Sequence, residues 1–124
     1  MQIVEEESQF PSALKLCMSR AKSAFGDERV FVEKYIKGAQ HVEFQVLADG
    51  KNAIHFGERF CSIQRRHQKL VEEGPWLSDE KRSEIGDLVC RGAESVGYKG
   101  LATFEFLRDA NGDFYFLEVN PRVQ

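Results

Sequence analysis

Glu105 and Glu118 lie on either side of an Asn111-Gly112 step, each within a run of alternating apolar residues. Asn-Gly between such runs signals a hairpin, because both central positions of a tight turn want positive φ. A two-residue turn there sets Glu105 directly opposite Glu118 on one face, with Cβ atoms ~5 Å apart. Thr103 and Asn120 become the next pair outward. A four-residue loop centred on the same point keeps this register, whereas a bulge shifts it by one. Two bare carboxylates so placed repel by about 3 kcal/mol at an effective dielectric of about 20. A divalent cation removes that cost. Mg²⁺ in particular takes one or two carboxylates and completes its octahedron with water and phosphate oxygens.

Alternation extends the strip. In "FYFLEVNPRVQ", Glu118, Asn120, Arg122 and Gln124 share a face if the chain stays extended, and Val119, Pro121 and Val123 face the other way. Pro121 lacks the N–H a central ladder needs, so the strand ends there or lies at an edge. An acid, two amides and a guanidinium in a row make a reactive strip; the alternative is the solvated face of an edge strand. A second polar cluster, Gln64, Arg65, Arg66, His67 and Lys69, admits three readings. It is a solvated basic turn, a nucleic-acid contact, or an anion pocket with Lys69 as point charge and Gln64 and His67 as donors. Neither G-x-x-x-x-G-K-[ST] nor G-x-G-x-x-G occurs.

These groups need elements to position them. "EEESQFPSALKLCMSRAKSAFG" predicts a helix, with Phe10, Leu14, Cys17, Ala21 and Phe25 on one face, Pro11 in the first turn and Gly26 at the end. "RVFVEKYI" predicts a strand by its β-branched and aromatic content. Val42, Phe44 and Val46 alternate with His41, Glu43 and Gln45, a half-buried strand with one polar face. Asp49-Gly50 predicts a tight turn, and Asn52 to Glu58 the returning strand. A second helix starts at Ser78, carries an apolar stripe of Ile85, Leu88, Val89, Ala93 and Val96, and ends at Gly97. The order of helix, strands, helix and hairpin predicts an α+β fold, mainly an antiparallel sheet with helices packed on one face.

The 124 residues fit one domain or part of one. A net charge of −3 argues against a nucleic-acid partner, and no apolar run approaches the ~18 residues of a membrane span. With no signal-peptide pattern, the expected location is the cytoplasm. Cys17, Cys61 and Cys90 are widely spaced and form no C-x-x-C or zinc-type pattern, so they read as buried thiols.

"HVEFQVLADG", "ERFCSIQRRHQKLVEE", "GLATFEFL" and "FYFLEVNPRVQ" together resemble the ATP-grasp domain of the biotin carboxylase family, over essentially the whole chain. That family includes the carboxylase parts of acetyl-CoA, propionyl-CoA and pyruvate carboxylases. The resemblance implies an ATP-dependent ligase that uses Mg-ATP (or Mn²⁺) and bicarbonate to carboxylate biotin on a carrier protein. Its implied partners are the biotin carboxyl carrier, a carboxyltransferase component and further copies of the enzyme. It further implies that Glu105, Glu118 and Asn120 serve the metal, and that Arg122 holds bicarbonate and stabilises the biotin enolate. Lys69, Val123 and Gln124 join Arg122 around bicarbonate. Glu33, Lys34 and Ile36 form the adenine hinge, and His41, Gln64 and His67 contact ribose and phosphate, with Glu105 and Glu118 completing the ATP site. A eukaryotic member would sit in the mitochondrial matrix.

The same resemblance implies the C-terminal part of an ATP-grasp domain, without the N-terminal domain, the glycine-rich lid and the C-terminal domain. The expectation is a catalytically incomplete piece of a larger enzyme, with exposed apolar faces and a tendency to self-associate. Alternatives are another ATP-grasp ligase of the carbamoyl-phosphate synthetase or carboxylate–amine type, or a non-catalytic module. The "QRRHQK" stretch separates the first alternative, and retention of Glu105, Glu118 and Arg122 argues against the second.

Overall fold

A computed structural model of the chain describes residues 1–65 and 68–123, the side chains of Gln64 and Gln68 excepted. The chain divides into two compact units, Met1–Tyr35 and Ile36–Gln124.

The first unit holds a 3-10 turn, Glu7–Gln9, and helix α1, Phe10–Phe25. Pro11 occupies the first turn, and Gly26 closes the helix at φ 75°, a left-handed conformation that costs glycine nothing. The expected strand over "RVFVEKYI" does not form; residues 27–36 are irregular. Strand propensity acts through cross-strand neighbours, and this unit's regular elements are all helical.

The second unit is an antiparallel sheet of five strands in the order β3-β2-β1-β4-β5. These are β1, Gln40–Asp49; β2, Ala53–Arg65; β3, Gln68–Glu73; β4, Lys99–Arg108; and β5, Phe114–Asn120, with helix α2, Asp79–Ser95, between β3 and β4. Central strand β1 sends Val42, Phe44, Val46 and Ala48 to one face, where Ile85, Val89 and Ala93 of α2 and Phe106 of β4 complete the core. Ser78 caps α2 by accepting from the Lys81 N–H at 3.3 Å, and Asp79 and Glu80 suit the positive first turn. The predicted stripe is partly corrected: Leu88, rotated off the contact face, and Val96, at the C-cap, are exposed. Among the described residues no helix is long and apolar enough to cross a membrane.

Gly86 faces the sheet, and a Cβ there would lie 2.3 Å from the His55 ring, itself edge-on to Phe44. Alanine would add ~1 kcal/mol of helix propensity, but the overpacking costs 1–3 kcal/mol. Gly86→Ala is therefore expected to lower the thermal midpoint, and His55→Ala added to it should recover part of the loss. A single variant more stable than the parent would overturn this account.

Glu58 ties the loop before α2 to the sheet. Its fully buried carboxylate accepts the Trp76 and Leu77 backbone N–H groups, each at 2.7 Å, and Arg82 donates to it from Nε at 2.6 Å. Burial pushes this carboxyl up, but the Arg82 guanidinium and the two amides outweigh it and lower the pKa to about 2.

Both expected tight turns are longer. Asp49 accepts from the N–H groups of Lys51 and Asn52, and the first pair beyond the loop is Ala48 with Ala53. Likewise Asp109 gathers the Asn111 and Asp113 N–H groups, so the last hairpin closes through a loop centred on Asn111. Near that loop Arg108 pairs with Phe114 and Phe106 with Phe116. One extra residue, Leu117, then bulges from β5, and beyond it Glu105 pairs with Glu118 and Thr103 with Asn120. The expected pairing of the acids holds, although the expected two-residue turn does not.

Candidate functional site

The odd-numbered residues of β1 face away from α2, and His41, Glu43 and Gln45 are all buried there. Strand register places one row of side chains across four strands: Arg59 on β2, Glu43 on β1, Glu105 on β4 and Glu118 on β5. Glu43 is 0% exposed. Its Oε1 accepts from Arg59 Nε at 2.8 Å and Nη2 at 2.5 Å, and its Oε2 accepts from Lys69 Nζ. The Lys69 ammonium also reaches Glu105 Oε1 at 3.4 Å. His41 Nε2–H donates to Glu105 Oε2 at 2.5 Å. Asn120 Nδ2 donates to Glu105 Oε1 at 2.8 Å and to Glu118 Oε1 at 3.1 Å. Among the described residues the two cations, Arg59 and Lys69, thus serve Glu43 and Glu105, and the Asn120 amide bridges Glu105 to Glu118.

Charge states follow from these contacts. Burial pushes the Glu105 carboxyl up, but the His41 hydrogen bond and the Lys69 charge prevail and hold it below the ordinary range. Burial also works against the Lys69 charge, yet Glu43 and then Glu105 keep the ammonium above its ordinary range. Cys61, buried on the same face, is pushed up to about 12 by burial and then by the Glu43 charge. Glu105 therefore stays ionised and Lys69 protonated at neutral pH, a polarised pair able to attract an anion and a cation side by side.

Beyond the row, Arg122 is fixed through its backbone. Its carbonyl accepts from Thr103 Oγ1 at 3.2 Å and Gln45 Nε2 at 3.4 Å, and its N–H donates to the Asn120 carbonyl at 2.8 Å. β5 ends at Asn120, so the expected alternation through Arg122 is corrected: a turn, rather than an extended strand, carries this arginine.

Of the residues predicted from the sequence, the fold brings together His41, Lys69, Glu105, Glu118 and Asn120, with Arg122 anchored beside them. Lys69 stands on β3 and Arg65 ends β2, and Gln64 pairs with Lys69 through the backbone. His67, Gln124 and the Gln64 side chain lie outside the described residues. Glu33 and Lys34 belong to the first unit and Ile36 opens the second; Glu33 and Lys34 are exposed, as is Val123. Sequence reasoning missed Glu43, Arg59, Gln45 and Thr103 as members of the site. Its one available signal was the His41–Glu43–Gln45 alternation, which marks a polar face without saying that it is buried.

The Glu105 and Glu118 carboxylates offer an all-oxygen donor set from paired positions on adjacent strands, and Asn120, which turns its Nδ2 to both, would add its Oδ1 only by turning its amide over. That set fits a hard divalent cation of the Mg²⁺ type.

An antiparallel sheet with a helix beneath and ionised acids and cations in a row on its other face defines a domain of the ATP-grasp type. The whole chain, residues 1–124, matches the family described as carbamoyl-phosphate synthase L chain, ATP binding domain, and belongs to it. The biotin carboxylase of Allochromatium vinosum is 50% identical over 127 residues, covering 100% of this chain and 28% of the relative. Among solved structures, the Campylobacter jejuni biotin carboxylase in complex with β-γ-ATP is 47% identical with a TM-score of 0.90, over 100% of this chain and 28% of that one. The biotin carboxylase domain dimer of Hydrogenobacter thermophilus 2-oxoglutarate carboxylase, with MgADP and bicarbonate, is 43% identical at a TM-score of 0.89, covering 99% and 28%. The chain thus spans about a quarter of the length of these relatives, and the expected resemblance to biotin carboxylases is met.

Proposed function

We propose that this chain forms one wall of the active site of an ATP-dependent biotin carboxylase, which carboxylates biotin on its carrier using bicarbonate. The observation that carries the reading is the Arg59–Glu43–Glu105–Glu118 row, with Lys69 and Asn120 bonded into it. Phosphoryl transfer needs positioning and charge neutralisation more than covalent chemistry from the protein, and a row of fixed charges running from buried Glu43 and Glu105 to exposed Glu118 supplies both. Mg²⁺ held by Glu105, Glu118 and Asn120 would neutralise phosphate charge.

The chain's own residues have distinct tasks. His41 orients Glu105 through its Nε2–H. Glu43 and Arg59 hold Lys69 in place, and Lys69 presents a point charge to bicarbonate. Arg122, its backbone clasped by Thr103 and Gln45, offers a planar fork to the bicarbonate and to the biotin enolate. Glu33, Lys34 and Ile36 are assigned to adenine, His41, Gln64 and His67 to ribose and phosphate, and Val123 and Gln124 to bicarbonate. The carrier and a carboxyltransferase component are the proposed partners, in a homo-oligomeric enzyme of the cytoplasm or of an organelle matrix.

An NMR titration of the chain with Mg-ATP tests the reading, with Mg²⁺ alone and a Glu118→Ala variant as controls. Shifts at Glu33 to Ile36, Glu105 and Glu118 that disappear in the variant are expected. Their persistence in the variant, or a spectrum that Mg-ATP leaves unmoved, overturns it.

A further inference from the structure

The same face holds a second donor set, which adds Cys61 to His41 and Glu43 and overlaps the nucleotide reading at those two residues. A ring nitrogen of His41, a carboxylate oxygen of Glu43 and the sulfur of Cys61 all lie within 4.8 Å of one another, and all three residues are buried. His41 carries the decisive detail. Its Nε2 is engaged by Glu105 at 2.5 Å, while its Nδ1 is buried with no hydrogen-bond partner among the described residues. A buried polar atom left unanswered is costly, and Nδ1 is such an atom. A histidine whose far nitrogen donates to a carboxylate while its near nitrogen stays open is the usual arrangement behind a metal ligand.

We infer that His41 Nδ1, Glu43 and Cys61 bind a thiophilic divalent cation of the Zn²⁺ class. Nitrogen, sulfur and oxygen donors suit Zn²⁺, whereas Mg²⁺ prefers the carboxylate oxygens of Glu105 and Glu118. Ligand atoms around tetrahedral Zn²⁺ stand about 3.5 Å apart, so the three side chains close inward modestly on binding. Water takes the fourth position. The step is ligand exchange without redox change: the Cys61 S–H bond breaks, its proton leaves to solvent, and the thiolate bonds the metal.

The ion also meets a competitor. Glu43 Oε2 is held by Lys69, and a cation on that carboxylate displaces the ammonium. Occupancy therefore frees Lys69 from its anchor, making Zn²⁺ an antagonist of the site rather than a cofactor. This inference stands on the three donors and does not depend on the nucleotide assignment.

Co²⁺ is the probe, titrated into the reduced chain in excess Mg²⁺. One equivalent should produce a thiolate-to-cobalt charge-transfer band with tetrahedral visible bands, removed by Zn²⁺ and untouched by Mg²⁺. Cys61→Ser and His41→Ala should abolish the band. A Cys17→Ser/Cys90→Ser background, in which Cys61 is the sole thiol, should keep it even if the other variants fail to fold. No thiolate band in that background, a band that survives Cys61→Ser in folded protein, or a spectrum that Mg²⁺ displaces would each overturn the inference.

Discussion

Exchanging Arg82 for methionine is expected to destabilise the chain by about 3 kcal/mol at neutral pH, because it leaves a buried carboxylate without a cation. Glu58 is fully buried at its side chain, and its remaining partners are two backbone amides. Its folded pKa, about 2 against an ordinary 4.5, gives the same size independently. A depression of this kind is worth about 3 kcal/mol. The sign is set by linkage. With the folded value below the unfolded one, the stabilisation is complete above about pH 5 and drains away as the pH falls toward 2. Unfolding midpoints measured from pH 7 to pH 2 should therefore fall steeply for the parent through that window and much less for Arg82→Met. The gap between them should close at the acid end. Adding Glu58→Gln to Arg82→Met should recover part of the loss, since the orphaned charge is then gone. An Arg82→Met protein with the parent's acid profile would sink the assignment.

Lys69→Met should cost about 2 kcal/mol, less than the 3–5 kcal/mol of a fully orphaned buried charge, because Arg59 still holds Glu43. The more informative effect is on ion binding. Without the ammonium, Arg59 is the one cation left in the row among the described residues, and the field of Glu43, Glu105 and Glu118 favours a divalent cation more strongly than before. Mg²⁺ at about ten times its dissociation constant should return about 1.4 kcal/mol to the variant. The parent, where Lys69 already occupies that field, should gain less at the same concentration. Chemical denaturation with and without Mg²⁺ reads both quantities. Equal stabilisation of the two proteins would mean that Glu105 and Glu118 do not hold the ion. Bicarbonate affinity should fall in the same variant, since the point charge offered to it is removed.

How much of this could be read from the residues differs from element to element. Helix α2 was legible at both ends, because Ser78 and Gly97 act locally through a cap and a left-handed backbone. The strand over "RVFVEKYI" was not, since a strand exists through its neighbours and local propensity does not supply one. For Glu105 and Glu118 the pairing was right while its route was wrong. The loop at Asp109–Asp113 moves the register one way and the bulge at Leu117 moves it back. Glu43 and Arg59 escaped notice because alternation shows that a face is polar, whereas burial and the convergence of Lys69 from β3 are properties of the assembled sheet.

The bulge at Leu117 has a consequence for which changes the chain can absorb. Phe114, Phe116, Glu118 and Asn120 all carry even numbers, and a regular strand would send the four to one side. Instead Phe114 and Phe116 pack edge-on against Phe106, while Glu118 and Asn120 join Glu105. Leu117 works like a frameshift written into the strand: upstream of it the alternation is read for packing, downstream for chemistry. Replacing Leu117 with another residue leaves the bulge in place, whereas deleting it makes Glu118 follow Phe116 directly. Plain alternation then sends the aromatics and the acid to opposite sides, the same division reached without a bulge. Across this stretch it is the spacing of the residues, more than the identity of the one at 117, that separates the core from the site.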